Sequence, residues 1–509
     1  MQNRESLLTQ ANLPILKDPI AAHLKSLEEL LEQHLEEVNK RILAEENKHF
    51  VFNGQGGNKR WTLEYPGKSD EINDSVFDSV PQNDIGNVLR FVHRNTGFMD
   101  CFDHLLGKYV KSSADRQVIN ACLTAWGTNI GLGKMGSISD ISAETLRMAS
   151  DNFIRPETLQ AANDAITNAI AQFPLFRHYD IGEVIHSSSD GQKFETKFQT
   201  INARYSPKYF GLKKGVVSYT LVANHIPITA RIIGANEHES HYVFDLLFNN
   251  TTSVQPEVHS TDTHGTNQVN FALLHIFGYQ FAPRYKDIYD TVTKSLYSFR
   301  HPSHYGNLPL KPIRKINQKL IIQEWENITR VILSLAFKAT TQHIITGKLS
   351  SYARKNKTKR ALWEYDNIIR SLYLLDYVDS PPLRRNVNQA LNRGENYHQL
   401  RRAIAYANWG KLRFKSEYEQ NIWNECSRLL TNCILYYNIS ILSNLLICRE
   451  LSDETDEITR LKQISPVAWQ HINFLGRYEF EKPENPIDID EIVARLSKTP
   501  IEFQERTSY

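Results

Sequence analysis

Three acidic residues lie in local contexts suited to work on phosphate esters. Asp190 sits in Ser187-Ser188-Ser189-Asp190-Gly191 at the end of a strand-like run, and Asp262 in Ser260-Thr261-Asp262-Thr263-His264-Gly265, shortly after Val258. Glu395 follows Arg393-Gly394 and is expected to open a helical run over 396–407. Small hydroxyl residues and glycine around a carboxylate let a phosphate backbone approach closely. Three carboxylates gathered in one place suit divalent cations, because hard oxygen ligands hold Mg²⁺ and leave positions for water and phosphate. The separations are 262 − 190 = 72 and 395 − 262 = 133 residues, so only a fold that unites strand ends with a distant helix makes them one site. Taken singly, each acid is more simply read as a turn or helix cap.

Other patterns are weaker. Glu237-His238-Glu239-Ser240-His241 looks like a zincin motif, but its histidines are three apart where H-E-x-x-H needs four. Gly131-Leu132-Gly133-Lys134-Met135-Gly136 matches G-x-G-x-x-G, yet the preceding run 120–126 reads as helix, and Met135 after Lys134 fails the P-loop pattern. His259 and His264 flank Asp262, and His398 lies one turn beyond Glu395. For His259 and His264, orienting a metal-bound water and a purely local hydrogen bond stay open, and for His398 a supporting role behind the acid and a simple cover for the helix.

The elements that must position these residues follow from periodicity. Leu24, Leu27, Leu31, Leu35, Val38 and Ile42 recur at three and four, placing one apolar stripe on a long helix after Asp18-Pro19. Asn53-Gly54-Gln55-Gly56-Gly57 and the polar stretch to about Gln82 read as a linker or exposed loop. Helical periodicity with terminus signals covers 85–109, 113–126 and 142–173. Runs rich in Val, Ile, Tyr and Thr at 181–194, 200–210, 215–223 and 226–233 read as consecutive strands. Then come a helix at 237–247, a strand at 257–262, a helix at 267–277 and a strand at 280–284, giving a mixed α/β sheet. Almost everything over 318–461 is helical again.

The 509 residues carry 59 Lys+Arg against 57 Asp+Glu, a net charge of +2, with 41% hydrophobic residues. Disordered, collagenous and disulfide-stapled classes are excluded. Five scattered cysteines without a C-x-x-C pair argue for reduced thiols. No signal-peptide core occurs over 1–17. The charge-free run 429–448 has membrane-span length, but its Thr431, Asn432, Asn438, Ser440, Ser443 and Asn444 favour a buried helix. A charge so near zero leaves any nucleic-acid surface to local segregation.

Ser187-Ser188-Ser189-Asp190-Gly191-Gln192-Lys193-Phe194, Ala203-Arg204-Tyr205-Ser206-Pro207-Lys208-Tyr209-Phe210-Gly211, Thr261-Asp262-Thr263-His264-Gly265, Phe281-Ala282-Pro283-Arg284 and Leu391-Asn392-Arg393-Gly394-Glu395 closely resemble the catalytic part of the large transposases of the Tn-three family of bacterial replicative transposons. So do 90–103, Arg155-Pro156-Glu157-Thr158-Leu159, Ser465-Pro466 and Trp469-Gln470-His471-Ile472-Asn473. The resemblance runs in order from about Ile85 to Tyr478. It implies an α/β, RNase H-like (retroviral-integrase-type) catalytic core with a helical insertion, flanked by mainly helical regions. It also implies Asp190 on the first strand, Asp262 after the fourth and Glu395 on a helix, as both catalytic residues and ligands of Mg²⁺, with Mn²⁺ as a substitute. The chemistry implied is two-metal phosphoryl transfer. Water first frees a 3′ hydroxyl at each transposon end, and that hydroxyl then attacks target DNA. Family members carry a long additional N-terminal part that reads the terminal inverted repeats, whereas here a helical piece precedes Ile85.

The organisation expected is a helical scaffold over 1–84, a helical region over 85–178, a core with the first two acids over 179–300, a helical basic insertion over 301–385, helices carrying the third acid over 386–450 and a C-terminal region over 451–509. Arg354, Lys355, Lys357, Lys359 and Arg360 form a basic cluster in the insertion, with Lys311, Arg314, Lys315 and Lys319 as a second. Such runs are often only solvated faces, but their position favours phosphate contact. Arg401 and Arg402, two turns past Glu395, are expected to clamp the backbone near the scissile phosphate. The partners implied are DNA, as terminal inverted repeats and target, and a second copy in a homodimer. The expected location is the bacterial cytoplasm at the nucleoid, with no membrane. The rival reading is a truncated, non-catalytic DNA-binding or interfering fragment, and a stand-alone nuclease sharing the core is a third.

Overall fold

A computed structural model describes residues 4–53, 60–64, 75–107, 113–351, 356–452, 454–481 and 486–498. The chain forms two compact units, each assembled from separate stretches: 1–69, 238–249 and 256–391 in one, 70–237, 250–255 and 392–509 in the other. The contiguous segments expected from sequence do not coincide with these units, because 238–249 and 256–300 group with the N-terminal helix and the insertion.

In the first unit the helix Ile20–Leu43 buries Leu24, Leu27, Leu31, Leu35, Val38 and Ile42, the stripe that its spacing demands. It packs against the helices Gln318–Ala336 and Lys357–Asp379. Buried Asn39 secures it by donating to the Leu310 carbonyl and accepting from the Leu310 amide, at 3.1 and 2.8 Å. Within the stretch expected to be a linker, Arg60–Leu63 is a strand that pairs antiparallel with Phe50–Asn53, while 54–59 and 65–74 lie outside the described residues. Trp61 stacks on Phe50 at 4.8 Å, so two aromatics supply the apolar face that the surrounding polar residues conceal from a composition reading. Val258–Ser260 and Gln280–Phe281 form a short parallel pair joined through the helix Asn270–Ile276. The helix expected over 237–247 is split into a 3₁₀ turn, Glu239–His241, and a short helix, Val243–Phe248.

The second unit is built on an antiparallel meander. His186–Glu195 pairs with Lys214–Ala223, which pairs with Ile226–Gly234. The last two strands join through Asn224-His225, both at positive φ (46° and 71°), the backbone that a two-residue hairpin needs to match strand twist. The strand expected over 200–210 shrinks to Arg204–Tyr205, followed by the short helix Pro207–Phe210. Pro207 cannot donate to a ladder but starts a helix well. Within this unit the helix Glu417–Leu451, whose start carries a Ser416/Glu419 capping box, packs against Pro156–Ile170, Arg116–Gly127, Ile85–Thr96 and the strand Ile226–Gly234. Its length and hydropathy would allow it to cross a membrane, but most of its surface is buried inside the unit. Asn438 donates from it to the Pro466 and Ala468 carbonyls and accepts from His471, which docks the Ser465–Asn473 motif.

Candidate functional site

Asp190 lies in the middle of the strand His186–Glu195, opposite Thr220, with Ser187, Ser188 and Ser189 buried before it. Its side chain is 33% exposed. One carboxylate oxygen accepts the Gly191 amide at 2.8 Å, and the other stands 3.8 Å from His398 Nδ1. That is too long for a hydrogen bond. Burial, reinforced by the positive charges of Arg401, Arg402 and Lys193, pushes the His398 imidazole down to about 3, so it is neutral near pH 7.

Glu395 is on the same unit's helix, with its side chain exposed. It does not open that helix, as expected, but lies well inside Pro381–Ile404. Pro381 and Pro382 are accommodated in the first turn, and nothing after them breaks the helix before Ile404. Gly394 lets this helix approach the Asp190 strand closely. A Cβ built there would stand 3.3 Å from Ser188 Oγ, and Gln192 Nε2 reaches across to the His398 carbonyl at 2.9 Å. Neither Gly394 nor Gln192 carries a local signal of this role. Arg393 secures the same junction by donating to the Tyr179 carbonyl and, at 3.3 Å, to Asn224 Oδ1.

Asp262, in the other unit, caps the 3₁₀ turn Thr263–Gly265, its Oδ1 accepting the His264 and Gly265 amides at 2.8 and 3.2 Å. The capping reading is therefore correct for one oxygen, and Oδ2 remains. Gly265 is required here, because a Cβ would stand 2.3 Å from the Thr261 side chain. His259 is fully buried beside Phe281, whereas His264 is exposed.

Among the described residues, Asp190 Oδ2, Asp262 Oδ2 and the Glu395 carboxylate accept no hydrogen bond. Carboxylate oxygens of this kind fit a hard divalent cation. No group of three His, Cys, Asp or Glu among the described residues forms a ready-made metal site. His238 and His241 instead stack on one another at 5.7 Å, and His238 Nδ1 bonds Ser240 Oγ at 2.8 Å. Gly131 starts a helix that follows another helix, not a strand, so the G-x-G-x-x-G reading lacks its βα context.

The basic residues divide. Arg354 and Lys355 lie outside the described residues. Lys357 and Arg360 are exposed, while Lys359 is half-buried with its ammonium 5.8 Å from the Trp363 ring. Arg314 of the second cluster is held by Glu364 at 2.9 Å. Arg402 is exposed, but Arg401 is not the expected DNA clamp. It is fully buried, donates to Ser218 Oγ and Asn424 Oδ1, and its guanidinium lies 4.8 Å from the Trp423 ring. Its helix position turns it into the unit's core, where no phosphate reaches.

Residues 87–478 match the Tn3 transposase DDE domain. The class is thus a DDE domain, which carries an RNase H-like fold. The match spans most of the sequence, and the chain belongs to the Tn3 transposase DDE-domain family. It is 30% identical to the transposase for transposon Tn3926 of Escherichia coli over 456 residues, covering 88% of this chain and 45% of that protein. It is 29% identical to the transposase for transposon Tn21 of Escherichia coli over 456 residues, with 88% and 45% covered. With the transposase for transposon Tn1546 of Enterococcus faecium the identity is 28% over 423 residues, with 83% and 42% covered. The chain spans less than half the length of these relatives.

Proposed function

We propose that this chain is the catalytic part of a DDE-type DNA transposase, which cleaves 3′ ends of a Tn3-type transposon and joins them to target DNA in replicative transposition. The observation that carries this reading is the strand-borne Asp190 packed beneath the helix of Glu395, in a chain whose residues 87–478 match the Tn3 transposase DDE domain. Asp190, Asp262 and Glu395 would hold Mg²⁺, or Mn²⁺ in its place. When bound, such ions activate an attacking oxygen and stabilise a leaving one. The chain's own contribution is positioning. The Ser188–Gly394 approach and the Gln192 bond fix the Glu395 helix on the Asp190 strand. The buried, neutral His398 fills the space behind Asp190 without competing for its charge. Exposed Lys357, Arg360 and Arg402, with Lys359 beside them in sequence, would hold phosphates. Arg354 and Lys355 belong to the same run. Terminal inverted repeats and target would be the DNA partners, with a homodimer pairing two ends in the bacterial cytoplasm.

The test is Mg²⁺-dependent joining of a pre-cut oligonucleotide end to plasmid. Asp262→Asn, which keeps the oxygen that caps the turn Thr263–Gly265, is expected to lower joining on the order of a thousandfold with the unfolding midpoint nearly unchanged, whereas Asp262→Ala should also lose the cap, about 1 kcal/mol. The same assay separates a second reading, a non-catalytic DNA-binding or interfering fragment. DNA binding without cleavage or joining in Mg²⁺ or Mn²⁺ would select it.

A further inference from the structure

Trp409 is 96% exposed, although nothing forces a tryptophan onto a surface. It lies in Asn408-Trp409-Gly410, three consecutive residues at positive φ (57°, 59° and 70°). A bulky residue adopts that region only where its surroundings over-determine it, and here they do. Asn408 Nδ2 donates to the Asn129 carbonyl at 2.7 Å, and Asn129 Nδ2 donates to the Ala407 and Lys411 carbonyls at 3.1 and 2.8 Å. The Leu412 amide donates to the Glu195 carbonyl, and the Lys197 amide to the Leu412 carbonyl, both at 2.8 Å. The loop is anchored on both sides and presents its indole to solvent.

The surroundings of this indole are basic and aromatic. Trp409 borders an open depression of about 830 Å³ that also includes Lys197, Phe198, Tyr205, Lys213 and Lys411. Lysines lie over its rings: Lys197 and Lys415 over Phe198 at 5.9 and 4.9 Å, and Lys214 over Tyr205 at 4.9 Å. Glu195, the acid lining the depression, is neutralised by Lys213 and Lys411 at 3.0 and 3.1 Å. Lysine over exposed rings is the composition of an unpaired-nucleic-acid surface, with phosphates held by charge and base faces stacked on aromatics. The core of a protein–protein interface is, by contrast, depleted in lysine. The patch also takes in the end of the Asp190 strand. Glu195 is five residues further along it, about 17 Å at strand rise.

We propose that this face binds DNA where its strands part, with Trp409 stacking on an unpaired base and Lys197, Lys214 and Lys415 holding the adjoining phosphates. A blunt duplex offers no free base face, so the indole discriminates frayed or overhanging ends from intact helix. The inference rests on the DNA reading above, but its test needs no catalysis.

The full chain is titrated in EDTA with three fluorescein-labelled probes: a single strand, a blunt duplex and a duplex with a 3′ overhang. Trp409→Ala is expected to weaken the single strand and the overhang about tenfold, with the blunt duplex within about twofold. Trp409→Phe should keep most of the affinity. Lys197→Ala and Lys214→Ala should weaken all three probes and each lower the salt slope by about one. Equal binding of all probes by wild type and Trp409→Ala overturns the proposal. So does a Trp409→Ala chain that sediments as a smaller species with DNA binding unchanged, which assigns the patch to self-association. A chain that joins no DNA yet shows the Trp409 pattern loses the catalytic reading and keeps this surface.

Discussion

Arg401 and Arg402 are neighbours in the chain with opposite environments, and they separate stability from contact. Arg401→Ala removes the partner of Ser218 and Asn424 and opens a void beside Trp423 and Phe194. The expected loss is about 3 kcal/mol of unfolding free energy, read by urea denaturation, with little recovery in Arg401→Lys because an ammonium cannot reproduce the planar fork. Arg402→Ala should leave that free energy within about 0.5 kcal/mol and instead weaken DNA binding. The sequence makes these two residues look alike. What separates them is Trp423 and Asn424, more than twenty positions away, together with Ser218 on a strand. The surroundings of Asp190 and Asp262 were more legible, since the serines, threonines and glycines that shape each one are its immediate neighbours.

At the level of elements, glycines mark where helices meet. A Cβ at Gly127 would stand 2.5 Å from Leu430 Cδ1 and 3.0 Å from the Cys426 carbonyl, both on the helix Glu417–Leu451. Alanine is the better helix former by about 1 kcal/mol, but overpacking a close helix contact costs about 1–3 kcal/mol. Gly127→Ala is therefore expected to destabilise by up to about 2 kcal/mol, measured as a lower denaturation midpoint at unchanged slope. Long periodic helices such as Ile20–Leu43, and the strands at 214–223 and 226–234, could be read locally because their apolar spacing is imposed by their own packing. The strand pair 50–53 and 60–63 could not, since two aromatics supply its apolar face. The start of the Glu395 helix is not legible locally, because glycine inside a helix reads as a boundary, whereas Gly394 marks a close approach to Ser188.

Across the described residues, four buried histidines shape the response to acid. Burial pushes His186 down to about 3, as it does His398, and His275 and His471 to about 4. Their folded-state values lie below the ordinary value near 6.5, so the unfolded chain binds more protons in between. Stability is therefore full above about pH 6.5 and falls as the pH drops toward 4, by on the order of 2 kcal/mol per histidine. Calorimetry from pH 7 to pH 4.5 should show this decline, and His471→Gln should flatten its share. The strand Ile226–Gly234 buries Ile226, Ile228, Ile232 and Ile233 within a unit whose helix Glu417–Leu451 packs on that strand. That helix is 417 − 234 = 183 residues downstream. At about 5–20 residues per second, a ribosome takes roughly 10–40 s to deliver the cover. For that interval the nascent sheet depends on chaperones, and a polypeptide stalled just short of Glu417 should stay bound to them or precipitate.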